Sequence, residues 1–227
     1  MQAHAGAALT AWEVVVQRGD AAWLHGEGLV TPDRRIARVA VAEAPAVVLG
    51  SSQAAPSGGP LVVCRRRSGG GAVLVRRGDP VWIDVCIPRG DELWLDDVRR
   101  AAWWVGETWA TALGSLGAVG LTVHRGPMVR TEWSSAICWA GIGAGEVLTG
   151  DGAKVVGISQ RRTHAGAIFQ CAAYLRYKPD PLLAAMRLDH DAGAVAAVRG
   201  SGVGLGALGV AASASEVVDS VIAALPR

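Results

Sequence analysis

The chain opens with short runs in which Val and other β-formers alternate with polar residues or run unbroken for four to seven positions. Trp12–Gln17, Ile36–Val41, Ala46–Leu49 and Leu61–Arg65 are each bounded by Gly, Pro, Asp or Ser, and each is expected to be a strand. Ala72–Val75 and Val81–Ile87 are expected to follow as strands, separated by the turn residues Arg77-Gly78-Asp79-Pro80. The period then changes. Val98, Ala102, Val105, Trp109, Ala112 and Leu116 recur at spacings of three and four, which predicts a helix over 94–116, with Asp96 and Asp97 in its first turn. Glu146–Gly157 reads as two strands joined at Gly150-Asp151-Gly152, and Ile168–Tyr174 as another strand. Pro179–Met186 and Ala211–Leu225 close the chain as helices. The pattern is a mixed sheet with helices packed on it, in the α+β class.

Composition narrows this further. A chain of 227 residues is expected to fold as one domain over 1–227, its core at about 10–185 and a helical C-terminal segment over 186–227. With 51% hydrophobic and 19% charged residues it has the material for a core without disulfide staples. The net charge of +2 gives no whole-protein case for nucleic acid or an anionic membrane. The longest charge-free apolar stretch, between Arg199 and Glu216, is broken by Gly202, Gly204, Gly206 and Gly209 and is too short to span a bilayer. No basic segment followed by an apolar run marks Met1–Ala5 as a secretory leader. Cys64, Cys86, Cys138 and Cys171 lack CxxC spacing, so no metal site is expected. These readings suggest a soluble cytoplasmic protein with reduced thiols.

Two segments carry candidate chemistry. In Arg65-Arg66-Arg67-Ser68-Gly69-Gly70-Gly71-Ala72-Val73 a strand delivers three arginines into three glycines. Glycines let a ligand approach the backbone, their N–H groups can cup an anion, and arginine adds fixed charge. The ordinary alternative is a flexible, solvated hairpin turn. In Gly152-Ala153-Lys154-Val155-Val156-Gly157 a lysine opens an apolar strand. Lys154 and Lys178 are the only lysines of the chain, so this one is singled out. A buried ammonium there could stabilise charge on an acyl or phosphoryl oxygen; on a sheet edge it would only be solvated. Cys138 is a third candidate, as a nucleophile or as a buried structural thiol. Cys64, Cys86 and Cys171 lie in apolar runs expected to be core, and His124 and His164 are expected in loops.

Taken together, Arg-Arg-x-Ser-Gly-Gly-Gly-Ala-Val and, some eighty residues on, Gly-x-x-Lys-x-x-Gly-x-x-Gln-Arg resemble the lipoate–protein ligase and octanoyltransferase family, with biotin–protein ligases as more distant relatives. The resemblance covers about residues 10–185. It implies the biotin/lipoate ligase-like catalytic domain, with Arg66, Arg67, Ser68, Gly69, Gly70, Gly71, Ala72 and Gly157 around an acyl and nucleotide pocket. It implies Lys154 at the acyl carbonyl and at the phosphate of an acyl-adenylate, with ATP and Mg²⁺ as the activating pair. Lipoate or octanoate would be attached to a lysine on the lipoyl carrier domain of a 2-oxoacid dehydrogenase or glycine cleavage protein. Cys138 resembles the octanoyltransferase cysteine, which takes the acyl group from acyl carrier protein as a thioester. The triple glycine places the ligase first, the transferase second and a non-catalytic lipoate-binding relative third. The sequence departs from the family in holding Val75-Arg76 where a His-Asp pair is usual and Gln170-Cys171 where the ligases have His-Gly. Both changes remove imidazoles from the expected pocket.

Overall fold

The computed structural model describes residues 12–56 and 58–227. The leader reading at Met1–Ala5 lies outside them, as does Ser57. Among the described residues ten strands form two sheets. The large sheet takes β1 (Glu13–Gly19), β2 (Ile36–Ala42), β6 (Val81–Pro88), β7 (Thr122–Val123), β8 (Val147–Leu148), β9 (Lys154–Arg162) and β10 (Gly166–Ala173), and the small one β3 (Ala46–Leu49), β4 (Val62–Arg65) and β5 (Val73–Val75). The orders are β1-β2-β6-β10-β9-β8-β7 and β4-β3-β5. Pairing is antiparallel except for β1 with β2 and β3 with β4, so both sheets are mixed.

Helices α2 (Trp103–Ser115) and α5 (Ala214–Ala223) cover one face of the large sheet, where Val105, Trp109 and Leu113 meet Ile83, Phe169, Val217 and Val221 in the main core. The opposite face looks onto the small sheet. All four residues of β3 are buried because alternate side chains point to opposite faces of a strand. Ala46 and Val48 pack with Trp82 and with Leu24 of α1 (Ala21–His25), whereas Val47 and Leu49 pack outward with Leu182 and Leu183 of α3 (Asp180–Ala185) and Val198 of α4 (Ala192–Gly200).

One expectation changes. The helix expected from Trp94 starts only at Trp103, after a 3₁₀ turn at Arg100–Ala102. Asp91 accepts from the Leu93 N–H, and Asp97 accepts from the Arg99 and Arg100 N–H groups at 2.8 and 3.2 Å. Such short-range side-chain bonds offer the backbone an alternative to the helix. Val98, expected on the buried face, is 57% exposed. The helical C-terminal segment is tied to the rest of the fold. Its last helix is capped by the Ser213–Glu216 box, and Trp12 Nε1 donates to the Pro226 carbonyl at 2.7 Å, closing β1 against the chain end. Helix α1 and strand β7 were not expected from the pattern, and α4 lies within the helical segment expected over 186–227. Among the described residues no helix is long and apolar enough to cross a membrane.

Candidate active site

The glycine loop leaves β4 and is held from beneath by one of its own arginines. Arg66 is buried, and its guanidinium donates to Gly69 O (2.7 Å from Nη2), Gly71 O (2.9 Å) and Val48 O (3.3 Å). Most of its donors are thus spent on shaping the loop. Arg65 braces the neighbouring turn through the Gly50 and Gln53 carbonyls. Arg67 is exposed and makes no side-chain hydrogen bond among the described residues. The loop needs glycine for two separate reasons. Gly70 has φ of +98°, in the left-handed region. A Cβ on Gly71 would lie 2.6 Å from the Ile137 carbonyl carbon and 2.7 Å from the Cys138 nitrogen. That close approach is fixed by Ala72 N–H to Ala136 O at 2.8 Å and Cys138 N–H to Ala72 O at 3.0 Å. Gly69 and Gly70 are exposed, and their N–H groups are unbonded among the described residues.

Lys154 begins β9 and is 1% exposed, so it is not a solvated edge lysine. Its Nζ donates to the Cys138 carbonyl at 2.9 Å and to Glu146 Oε2 at 2.7 Å, and lies 5.6 Å from the centre of the Trp139 ring. The buried Glu146 carboxylate also accepts from the Gly143 and Ile158 N–H groups at 2.7 and 3.1 Å. The backbone of Lys154 is bracketed by Ser201 and Val203, so the C-terminal segment roofs this corner. An ammonium has three donors, and two are engaged. The carbonyl of Cys138, rather than its sulfur, is the hydrogen-bond partner.

Between the two sheets runs a narrow slot of about 60 Å³. Val48, Val73 and Val75 of the small sheet line one wall, and β6, β10 and β9 supply Trp82, Gln170 and Gly157 on the other. The slot crosses three adjacent strands, two interstrand spacings or about 10 Å. At the β9 end stand Cys138, which is partly buried, and Trp139, against which Gly157 packs at 3.1 Å from the position of its missing Cβ. Ser68 reaches Ser159 on β9 with a 3.0 Å hydroxyl pair, tying the loop to this end.

Of the residues singled out from the sequence, Arg66, Cys138 and Gly157 line the slot, while Ser68, Gly70, Gly71 and Ala72 hold the loop against it. Lys154 lies behind the Cys138 carbonyl, outside the slot. Cys86 and Cys171 are buried, and burial pushes the partly buried Cys64 thiol up to about 11. His124 is bonded to the Pro127 carbonyl in a loop and His164 is exposed.

The slot holds one imidazole that the sequence reading did not single out, His25. Asp20 caps the five-residue helix α1 by accepting from Trp23 N–H, and that helix places His25 in the slot wall. The only local signal was an Asp ahead of an apolar run. His25 stacks on Trp82, ring centres 4.4 Å apart, and Gln170 Nε2 lies 3.4 Å from its Nδ1. Burial, with the charges of Arg66 and Arg38 adding, lowers its pKa to about 3. Beneath it Arg38 and Asp84 form a fully buried ion pair, and Trp82 Nε1 donates to Asp84 at 2.6 Å.

No protein-family model and no curated protein matches this sequence. Solved structures do match. A lipoate–protein ligase A bound with ATP superposes at a TM-score of 0.68 with 16% identity, covering 95% of this chain and 83% of that one. A bipartite lipoate–protein ligase from Thermoplasma acidophilum, described with its E2 lipoyl domain, gives 0.66 and 18% over 95% and 82%. This chain has the lipoate–protein ligase fold. A T. acidophilum protein with bound lipoic acid matches at 0.64 and 16% identity, covering 93% of this chain and 82% of that one. The glycine loop and the lysine strand are therefore carried on the fold that their resemblance implied, with Val75 in the slot wall and Arg76 paired to Asp79 where the family's His-Asp is usual.

Proposed function

We propose that this chain activates lipoate or octanoate with ATP and transfers the acyl group to a lysine of a lipoyl carrier domain. The observation that carries this reading is the placing of three elements around one end of the slot: the pinned glycine loop, the narrow apolar channel leading away from it, and the buried Lys154 directly behind the Cys138 carbonyl of the channel wall. Activation is needed because a carboxylate does not acylate an amine. The acid's oxygen attacks the α-phosphorus of ATP and pyrophosphate leaves. The carrier amine then attacks the acyl carbon, AMP departs with the C–O bonding pair, and the amine proton passes to solvent. In this reading the Gly69 and Gly70 N–H groups and the exposed Arg67 receive the anion, and preorganised donors of that kind stabilise charge where it develops. Lys154, oriented by Glu146, places its positive charge behind the Cys138 carbonyl, beside the end of the slot that would receive the acyl carbonyl.

The solved neighbours with bound ATP and with bound lipoic acid support the choice of substrates, and the one described with its E2 lipoyl domain supports the choice of partner. Mg²⁺ would enter with the nucleotide, whose phosphates are its usual ligands. The four free cysteines fit the reducing cytoplasm as the site of action.

A second reading is favoured by Cys138 standing in the slot wall. Its thiolate would attack the thioester of an acyl carrier protein, releasing that protein's thiol, and would later leave as thiolate when the target lysine attacks. Lys154 meets the Cys138 carbonyl rather than its sulfur, and its charge is balanced by Glu146, so the geometry ranks this route second. The test is ATP–pyrophosphate exchange with lipoate and with octanoate, supplied separately. Acid-dependent exchange is expected. Folded protein without exchange would refute the ligase, and a gain of one acyl mass on Cys138 after exposure to acyl carrier protein would establish the transferase.

A further inference from the structure

We propose that His25 selects the acyl tail: its Nε2–H donates to a ring sulfur of the lipoyl group and so favours lipoyl over octanoyl. The inference rests on the slot being the acyl site, as proposed above. Its basis is the position of His25 along the slot. Cys138, Trp139 and Gly157 stand at the β9 end, next to Lys154, whereas His25 stacks on Trp82 of β6, two strands away. An acyl group whose carbonyl is held at the loop end therefore extends its tail toward His25.

The tautomer follows from the hydrogen bonds. The Gln170 amide nitrogen faces Asp84 Oδ2 at 3.5 Å and His25 Nδ1 at 3.4 Å. An amide NH₂ has two hydrogens, and a carboxylate only accepts, so the second hydrogen points at Nδ1 and makes it an acceptor. The proton of a neutral imidazole then resides on Nε2. That nitrogen has no partner among the described residues, and its ring lines the slot. Burial and the nearby guanidinium groups of Arg66 and Arg38 keep the ring neutral.

The two acids differ only at this end. The dithiolane presents polarizable sulfurs, which accept weak hydrogen bonds and pack well on aromatic rings such as Trp82. The octanoyl methyl packs on the ring but accepts no hydrogen bond, and it would leave a buried N–H unpaired. Because the acceptor is weak, the expected preference is roughly tenfold.

The experiment is calorimetric titration of the intact protein with lipoate and with octanoate, repeated on His25→Leu and His25→Gln. The wild type is expected to favour lipoate about tenfold, His25→Leu to bring the ratio near one, and His25→Gln, which keeps a donor, to recover part of it. In parallel, ¹⁵N-histidine spectra of the wild type should show the His25 Nε2–H shifting with lipoate and not with octanoate, a readout that needs no variant to fold. Binding of both acids with a wild-type ratio near one, with a ratio unchanged in His25→Leu, or with equal His25 shifts overturns the role of His25 while leaving the acyl slot intact. Binding of neither acid overturns the slot and this inference together.

Discussion

Glu146→Gln is the perturbation whose consequence is best defined by the geometry. Glu146 and Lys154 form an ion pair with side chains 4% and 1% exposed, and the carboxylate also terminates two backbone N–H groups. Neutralising it leaves a buried ammonium without its counter-charge and turns an amide NH₂ toward one of those N–H donors. Breaking a buried pair from one side costs about 3–5 kcal/mol. For a chain of this size each kcal/mol lowers Tm by about 2–4 °C, so the expected drop is about 6–20 °C. Lys154→Met should cost comparably, because it strands the carboxylate. The double variant Glu146→Leu/Lys154→Met removes both charges, and replacing a buried pair by apolar side chains is often close to neutral. It should therefore be more stable than either single variant, although it loses activity. Urea denaturation of the four proteins at pH 7 measures this. If Glu146→Gln lies within about 1 kcal/mol of the wild type, or the double variant is no more stable than the weaker single, the pair is not the structural clamp described.

Three further outcomes follow from the same geometry. Because the His25 pKa falls from 6.5 in the unfolded chain to about 3 in the fold, the unfolded state alone gains a proton as pH drops between those values. Stability should then fall with acid across that window, by up to roughly 4–5 kcal/mol in all, and His25→Phe should flatten the dependence in denaturation curves collected from pH 7 to pH 4. Gly71→Ala should drive its new methyl into the backbone at Ile137 and Cys138, costing about 1–3 kcal/mol in thermal unfolding and, by displacing the loop, a larger proportion of carrier-domain acylation than of stability. Lys154→Ala should abolish acylation, whereas Cys138→Ser should retain at least half of it if the adenylate route operates; a Cys138→Ser protein that folds but is inactive would move the mechanism to the thioester.

Much of this molecule is legible in its one-dimensional pattern. Strands that are buried on both faces, such as Val81–Pro88, announce themselves as continuous apolar runs, and α2 by its period, because burial imposes those patterns directly on the sequence. The glycine triplet and the lone strand lysine are legible for a related reason: close backbone approach and a buried charge each tolerate few residue types. The helix start at Trp103 was not legible, because Asp91 and Asp97 act through bonds to the next few N–H groups that hydropathy does not register.

What the tertiary structure alone decided was who faces whom. Arg66 is equally an arginine of the motif whether it meets a ligand or a carbonyl, and only the folded loop turns it onto Gly69 and Gly71. Glu146 is eight positions from Lys154 and becomes its counter-ion because β8 and β9 pair across the turn between them. His25 is 145 positions from Gln170, and no local rule links a five-residue helix near the start of the chain to the middle of a distant strand. Secondary structure reports what each side chain needs from its neighbours in sequence, whereas a site is assembled from groups the chain brings together only when its two sheets close on each other.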